Sequence, residues 1–156
     1  MYRKVLVPFD DSPTSHNALK SAVQLVEGIE GAKLVVLKVV EWHDYNAETF
    51  KIASRMSGVL SDSLDTKLVT EIGNEAQNSE VARILEEIAP IVGSNDNVEV
   101  AVVNGSPHDA IVAYASDNDF DCIVMGHRGM GVFRGMIGSV AYSVLQKTDR
   151  PVLIIK

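Results

Sequence analysis

An α/β layer fold with a parallel sheet covered on both faces is what the sequence predicts, on three observations. Five short runs rich in Val, Ile and Leu have the length and composition of buried strands. Helix-length sequence separates each run from the next, the alternation that places helices over a parallel sheet. The chain's 156 residues, 46% apolar and 22% charged, suffice for one compact domain over residues 1–156 and leave no room for a second.

The elements follow in order. After the first strand, Lys4 to Val7, Ser12 is placed to cap a helix and Pro13 fits its first position. Ala18, Leu19, Ala22, Val23 and Val26 then recur at helical spacing, and Gly28 or Gly31 ends the run. Leu34 to Val40 is the second strand. The crossover from about Glu41 to Asn97 shows a clear helix only in SEVARILEEIAPIVG, where Val81, Ile84, Leu85 and Ile88 form a stripe. Tyr45 to Gly73 has weak periodicity and is expected to be helical, forming a flap near the site.

The third strand is Val98 to Val103. Asn104-Gly105-Ser106-Pro107 then supplies a turn, a cap and a helix-starting proline, with Asp109 in the first turn where negative charge suits the helix dipole. That helix runs to about Asp117. Cys122 to Met125 is the fourth strand, the last helix runs from near Ser139 through Val140, Val144 and Leu145 to about Lys147, and Pro151 introduces the fifth strand, Val152 to Ile155.

A net charge of −7 disfavours a surface built to grip nucleic acid or an anionic membrane. The opening MYRKVLVPFD has no signal-peptide core and no run approaches membrane-spanning length, so a cytoplasmic location is expected. Cys122, the only cysteine, excludes an intramolecular disulfide and a cysteine-rich zinc site, and DCIVMG reads as a buried strand. His16, His43, His108 and His127 have no metal-site spacing, so no metal ligand is assigned to the protein.

The stretch GHRGMGVFRGMIGSVAYS, Gly126 to Ser143, joins the fourth strand to the last helix and holds five glycines. A loop leaving the carboxyl end of a parallel strand and entering a helix presents backbone N–H groups and a positive dipole end, which suits phosphate. No Gly-Lys-Ser or Gly-Lys-Thr closes it, so it is not a P-loop, and Arg134 stands where a dinucleotide fingerprint needs its third glycine.

With these residues the chain resembles the universal stress proteins, whose nucleotide-binding members carry Gly-x2-Gly-x9-Gly-Ser/Thr after the fourth strand. The resemblance covers KVLVPFDDSPTSHNAL, LVVLKVV, GSPHDAIVAYA, IVMGHRG, the GSV helix start and RPVLIIK. It departs at one point: eight residues, Met130 to Ile137, separate Gly129 from Gly138-Ser139, where the family usually has nine. Bending at Gly131 and Gly135 is expected to absorb the difference.

The resemblance implies a five-stranded parallel sheet of order 3-2-1-4-5, with the first and fourth strands adjacent at the switch point where ligands bind. It implies that Pro8, Phe9 and Asp10 border the adenine and ribose of ATP, AMP or ADP, that Val39 contacts the base and that Met125 packs beneath it. Gly126, Arg128 and Gly129 would line the ribose and first phosphates. Gly138, Ser139, Val140 and Ala141 would offer amides to the outer phosphates, with Mg²⁺ or Mn²⁺ held through those phosphates. The bland alternative for Asp10 and Asp11 is capping of the first helix. Arg134 is left outside the site as a solvated loop residue.

The function implied is an adenine nucleotide-dependent regulator in the stress response, a homodimer pairing through the terminal strand Val152 to Ile155, with no nucleic acid or membrane partner. An alternative is a dimeric interaction protein that has lost nucleotide through the shortened loop. Phosphoryl transfer is a third reading, with Asp10, Asp11 and His127 as the only groups near the loop. No partner carboxylate can be named for His127, which reads as an exposed turn residue, so no catalytic residue is assigned and no enzyme activity beyond, at most, slow ATP hydrolysis is expected.

Overall fold

The computed structural model describes residues 2–41, 66–93, 95–130 and 136–156. Among them five strands, β1 (Lys4–Pro8), β2 (Lys33–Val40), β3 (Val98–Asn104), β4 (Cys122–Gly126) and β5 (Val152–Ile155), form one sheet of order β3-β2-β1-β4-β5 with every neighbouring pair parallel. The helices are α1 (Pro13–Val26), α2 (Thr66–Val92), α3 (Pro107–Asp117) and α4 (Ser139–Lys147).

Strand alternation divides the core into two layers. Val5, Val7, Leu34, Val36, Cys122 and Val124 point to the face covered by α1 and α2, where Leu19, Ala22, Ile84 and Ile88 close over them. Leu6, Val35, Leu37, Ile123 and Met125 point the other way, against Ile111 and Ala115 of α3 and Ala141 and Val144 of α4. The central strands β1 and β4 therefore read as nearly continuous apolar runs, because both of their faces are buried. The chain winds outward from β1 to β3, returns across the other face to β4, and so leaves β1 and β4 side by side at the reversal.

The predicted strands are found with one-residue extensions, and β5, α3 and α4 keep the predicted bounds. Ser12 caps α1 by accepting the Ser15 N–H at 3.2 Å, with Pro13 in the first turn, and the helix stops at Val26 before Gly28 and Gly31, both at φ 73°. The crossover helix begins at Thr66, well before the Ser79–Gly93 segment whose stripe is legible, so residues 66–73 of the Tyr45 to Gly73 stretch are helical as expected. The remainder of that stretch, with the expected flap, lies outside the described residues, as does His43. Among the described residues no helix is long and apolar enough to cross a membrane.

Candidate functional site

The switch point opens into a cavity of about 580 Å³, within the usual range for small-molecule sites. Its first wall is the turn after β1. Phe9 continues the ladder by donating its N–H to Leu37 O at 2.9 Å, which carries Pro8 and Phe9 to the cavity edge. Asp10 follows, its Oδ1 accepting the Ser12 N–H at 3.2 Å and the Ser12 hydroxyl at 2.5 Å. Capping of α1 therefore belongs to Ser12, and Asp10 buttresses the cap with one oxygen while Oδ2 lies against Gly129.

Asp11 takes a different course from Asp10. Its backbone is left-handed, φ 64°, and its carboxylate lies 2.6 Å from Lys38 Nζ and 3.0 Å from Arg83, which in turn pairs with Glu80 and Glu87 on α2. Partial burial opposes the charge on Asp11. Hydrogen bonds and charge from Lys38 and Arg83 outweigh it and hold the carboxyl below its ordinary range. Asp11 does not line the cavity; it fastens the β1 turn to β2 and α2.

The second wall is the end of β4. Met125 is buried and lines the floor, followed by Gly126, Arg128 and Gly129. Thr14 of α1 donates its hydroxyl to Arg128 O, joining this wall to the first. His127 differs from the exposed turn residue that its sequence suggests. Its ring is half-buried, with Nδ1 3.1 Å from Ile155 O and Nε2 2.7 Å from Arg128 Nε, because the backbone there lies beside β5.

The third wall is the start of α4. Gly138 is the N-cap and has no side chain to satisfy the first-turn amides, and no acidic residue occupies that turn. Those N–H groups at Ser139, Val140 and Ala141 are the orphan donors of a helix start, at its positive dipole end. Gly138 donates its own N–H to His127 O at 2.7 Å, so the two ends of the glycine segment meet. Gly131, Arg134 and Gly135 lie outside the described residues, and so does the expected bending there.

The opposite side is apolar. Val39 lines it, together with Leu37, two residues earlier on the same strand face, and with Pro107 and Ile111, one helical turn apart on α3. Met130, Met136 and Ile137 form an exposed rim. Sequence reasoning missed Leu37, Pro107 and Ile111, as well as Ser15 and the three rim residues; for the first three, the two-residue period from Val39 and the four-residue spacing on α3 were the available signals. Every residue that it did assign to the site lines this one cavity.

The universal stress protein family model matches residues 1–156. The chain belongs to that family. It is 31% identical to universal stress protein YxiE of Bacillus subtilis, over 100% of both sequences, and 29% identical to universal stress protein MJ0577 of Methanocaldococcus jannaschii, over 100% of this chain and 96% of the other. The solved structure of MJ0577 superposes with a TM-score of 0.73 at 26% identity, covering 100% of this chain and 96% of that one. A universal stress protein crystallised in complex with cAMP superposes at 0.64 with 25% identity, covering 99% of this chain and 97% of that one. In this family member the switch-point cavity thus has three polar edges, Asp10, Arg128 and the α4 amides, around an apolar slot.

Proposed function

We propose that this universal stress protein binds an adenine nucleotide, ATP or its AMP and ADP forms, in the switch-point cavity and acts in the stress response as a nucleotide-dependent regulator. One observation carries the reading: the uncapped start of α4 opens on the same cavity as Asp10 and Arg128. The slot between Val39, Leu37, Ile111 and Met125 suits a planar base, Asp10 Oδ2 suits a hydroxyl or amino donor, and the α4 amides with Arg128 suit phosphate oxygens. The cAMP complex of a family member supports the adenine assignment. Mg²⁺ or Mn²⁺ would enter on the phosphates.

The tie between Gly138 and His127 supports retention of the phosphate end despite the shorter glycine segment. Regulation is favoured over catalysis because Asp11 is turned out of the cavity by Lys38 and Arg83, leaving Asp10 as the carboxylate in its lining among the described residues. In the same reading the protein works in the cytoplasm as a homodimer formed through β5, whose position at the sheet edge leaves one side open for pairing. Titration with a fluorescent ATP analogue and Mg²⁺ is expected to saturate; no saturable binding at millimolar nucleotide would remove the proposal. Light scattering is expected to give twice the chain mass.

A further inference from the structure

We infer that His127 is the positioning residue of the phosphate end, holding the Arg128 guanidinium toward the cavity through a neutral imidazole. The inference rests on the adenine nucleotide reading above and adds to it the residue on which phosphate recognition depends.

The two ring contacts fix the tautomer. Ile155 O, 3.1 Å from Nδ1, is a carbonyl oxygen and only accepts, so Nδ1 carries the hydrogen. Arg128 Nε, 2.7 Å from Nε2, only donates, so Nε2 offers its lone pair. A protonated ring would lose that acceptor and set two cations against each other.

The backbone of His127 is held as firmly as its ring. Its N–H donates to Ile155 O at 2.7 Å, and its carbonyl accepts the Gly138 N–H at 2.7 Å. The imidazole is therefore mounted on β5 and on the cap of α4, two rigid elements, and is not carried by a wandering turn. Because Nε, Cζ and both terminal nitrogens of arginine are coplanar, a hydrogen bond at Nε sets the plane of the whole fork. Arg128 lines the cavity beside the α4 start, its Cα 3.2 Å from where a methyl on Gly138 would stand, so this plane decides how its terminal nitrogens meet a phosphate. Lysine could not be steered in this way.

The test compares wild type, His127→Asn and His127→Gln by equilibrium titration with Mg-ATP and with adenosine, alongside thermal melts. Asparagine can keep a donor near the Nδ1 position for Ile155 but has no acceptor where Nε2 stands; glutamine can place an oxygen there. His127→Asn is expected to weaken ATP binding about tenfold, the worth of a charge-assisted contact, while leaving adenosine binding and the melting temperature unchanged. His127→Gln is expected to hold ATP affinity within about threefold of wild type. In an Arg128→Met background, His127→Asn is expected to have no further effect.

Equal losses for ATP and adenosine, or a glutamine variant as weak as the asparagine one, would overturn the inference while the nucleotide reading stands. Wild-type protein that binds neither ligand overturns the nucleotide reading and this inference with it.

Discussion

A methyl group on Gly126 would stand 2.6 Å from Thr14 Oγ1 and 2.9 Å from the Thr14 carbonyl carbon, so the end of β4 and the first turn of α1 meet at backbone distance. The Thr14 hydroxyl then bonds to Arg128 O. This contact sets the separation of the two turns that form the cavity's polar side.

Gly126→Ala is therefore expected to force α1 away from β4. The obstacle includes backbone, so the cost should fall at about 1–3 kcal/mol, as for an overpacked core. Urea denaturation measures it; a midpoint equal to wild type would show that α1 yields without resistance.

Gly129→Ala meets a different neighbour. The added methyl would collide with Asp10 Oδ2, the end of a side chain that can turn away. Stability is expected to change by less than about 0.5 kcal/mol, in the range of surface substitutions. Adenosine affinity should drop about tenfold, as expected when one charge-assisted hydrogen bond is lost. Adenosine titration beside a urea melt separates the two effects, and unimpaired adenosine binding would remove Asp10 from base or ribose recognition.

Asp11→Asn tests the fastening of the β1 turn. The folded protein holds this carboxyl below its usual 3.8, so its charge contributes stability above pH 3.8 that is lost as pH falls through the lower folded value. Both partners are partly exposed, which limits the contribution to about 1 kcal/mol. Asparagine tolerates the left-handed backbone at this position. Wild type is expected to exceed the variant at neutral pH, with the curves converging below pH 3.8; a gap that persists in acid would contradict an ionic origin.

Cys122 reports on opening of the sheet. Burial pushes its thiol above the ordinary range, and it faces the α1 side of the core. A thiol reagent should label it only on unfolding. Mg-ATP at a hundred times its dissociation constant should slow labelling about a hundredfold, matching a gain of about 2.7 kcal/mol if opening precedes reaction. Fast native labelling would mean that β4 is accessible without unfolding.

Strands were legible because burial on both faces leaves apolar runs such as Leu34 to Leu37 and Cys122 to Met125, and the α3 start was legible because Asn104 to Pro107 combines a turn, a cap and a proline. The first part of α2 was not. From residue 74 onward its core contacts are the buried Ile84 and Ile88 with Val81, Ile91 and Val92 packed beside them, all of them within the segment whose stripe is legible. His127 was misread for another reason: its partners, Ile155 and Arg128, act through a backbone carbonyl and a neighbouring side chain, and neither leaves a mark in residue spacing.

The Gly138 amide on the His127 carbonyl works like a clasp at the base of the glycine segment. Closing a loop of ten residues instead of eleven changes the entropy cost by only about 0.1 kcal/mol. With the clasp shut, the residues between can lengthen, shorten or change chemistry without moving α4 or β4. The frame of the cavity, written into the sheet and the α4 start, can thus persist while the segment between them diversifies.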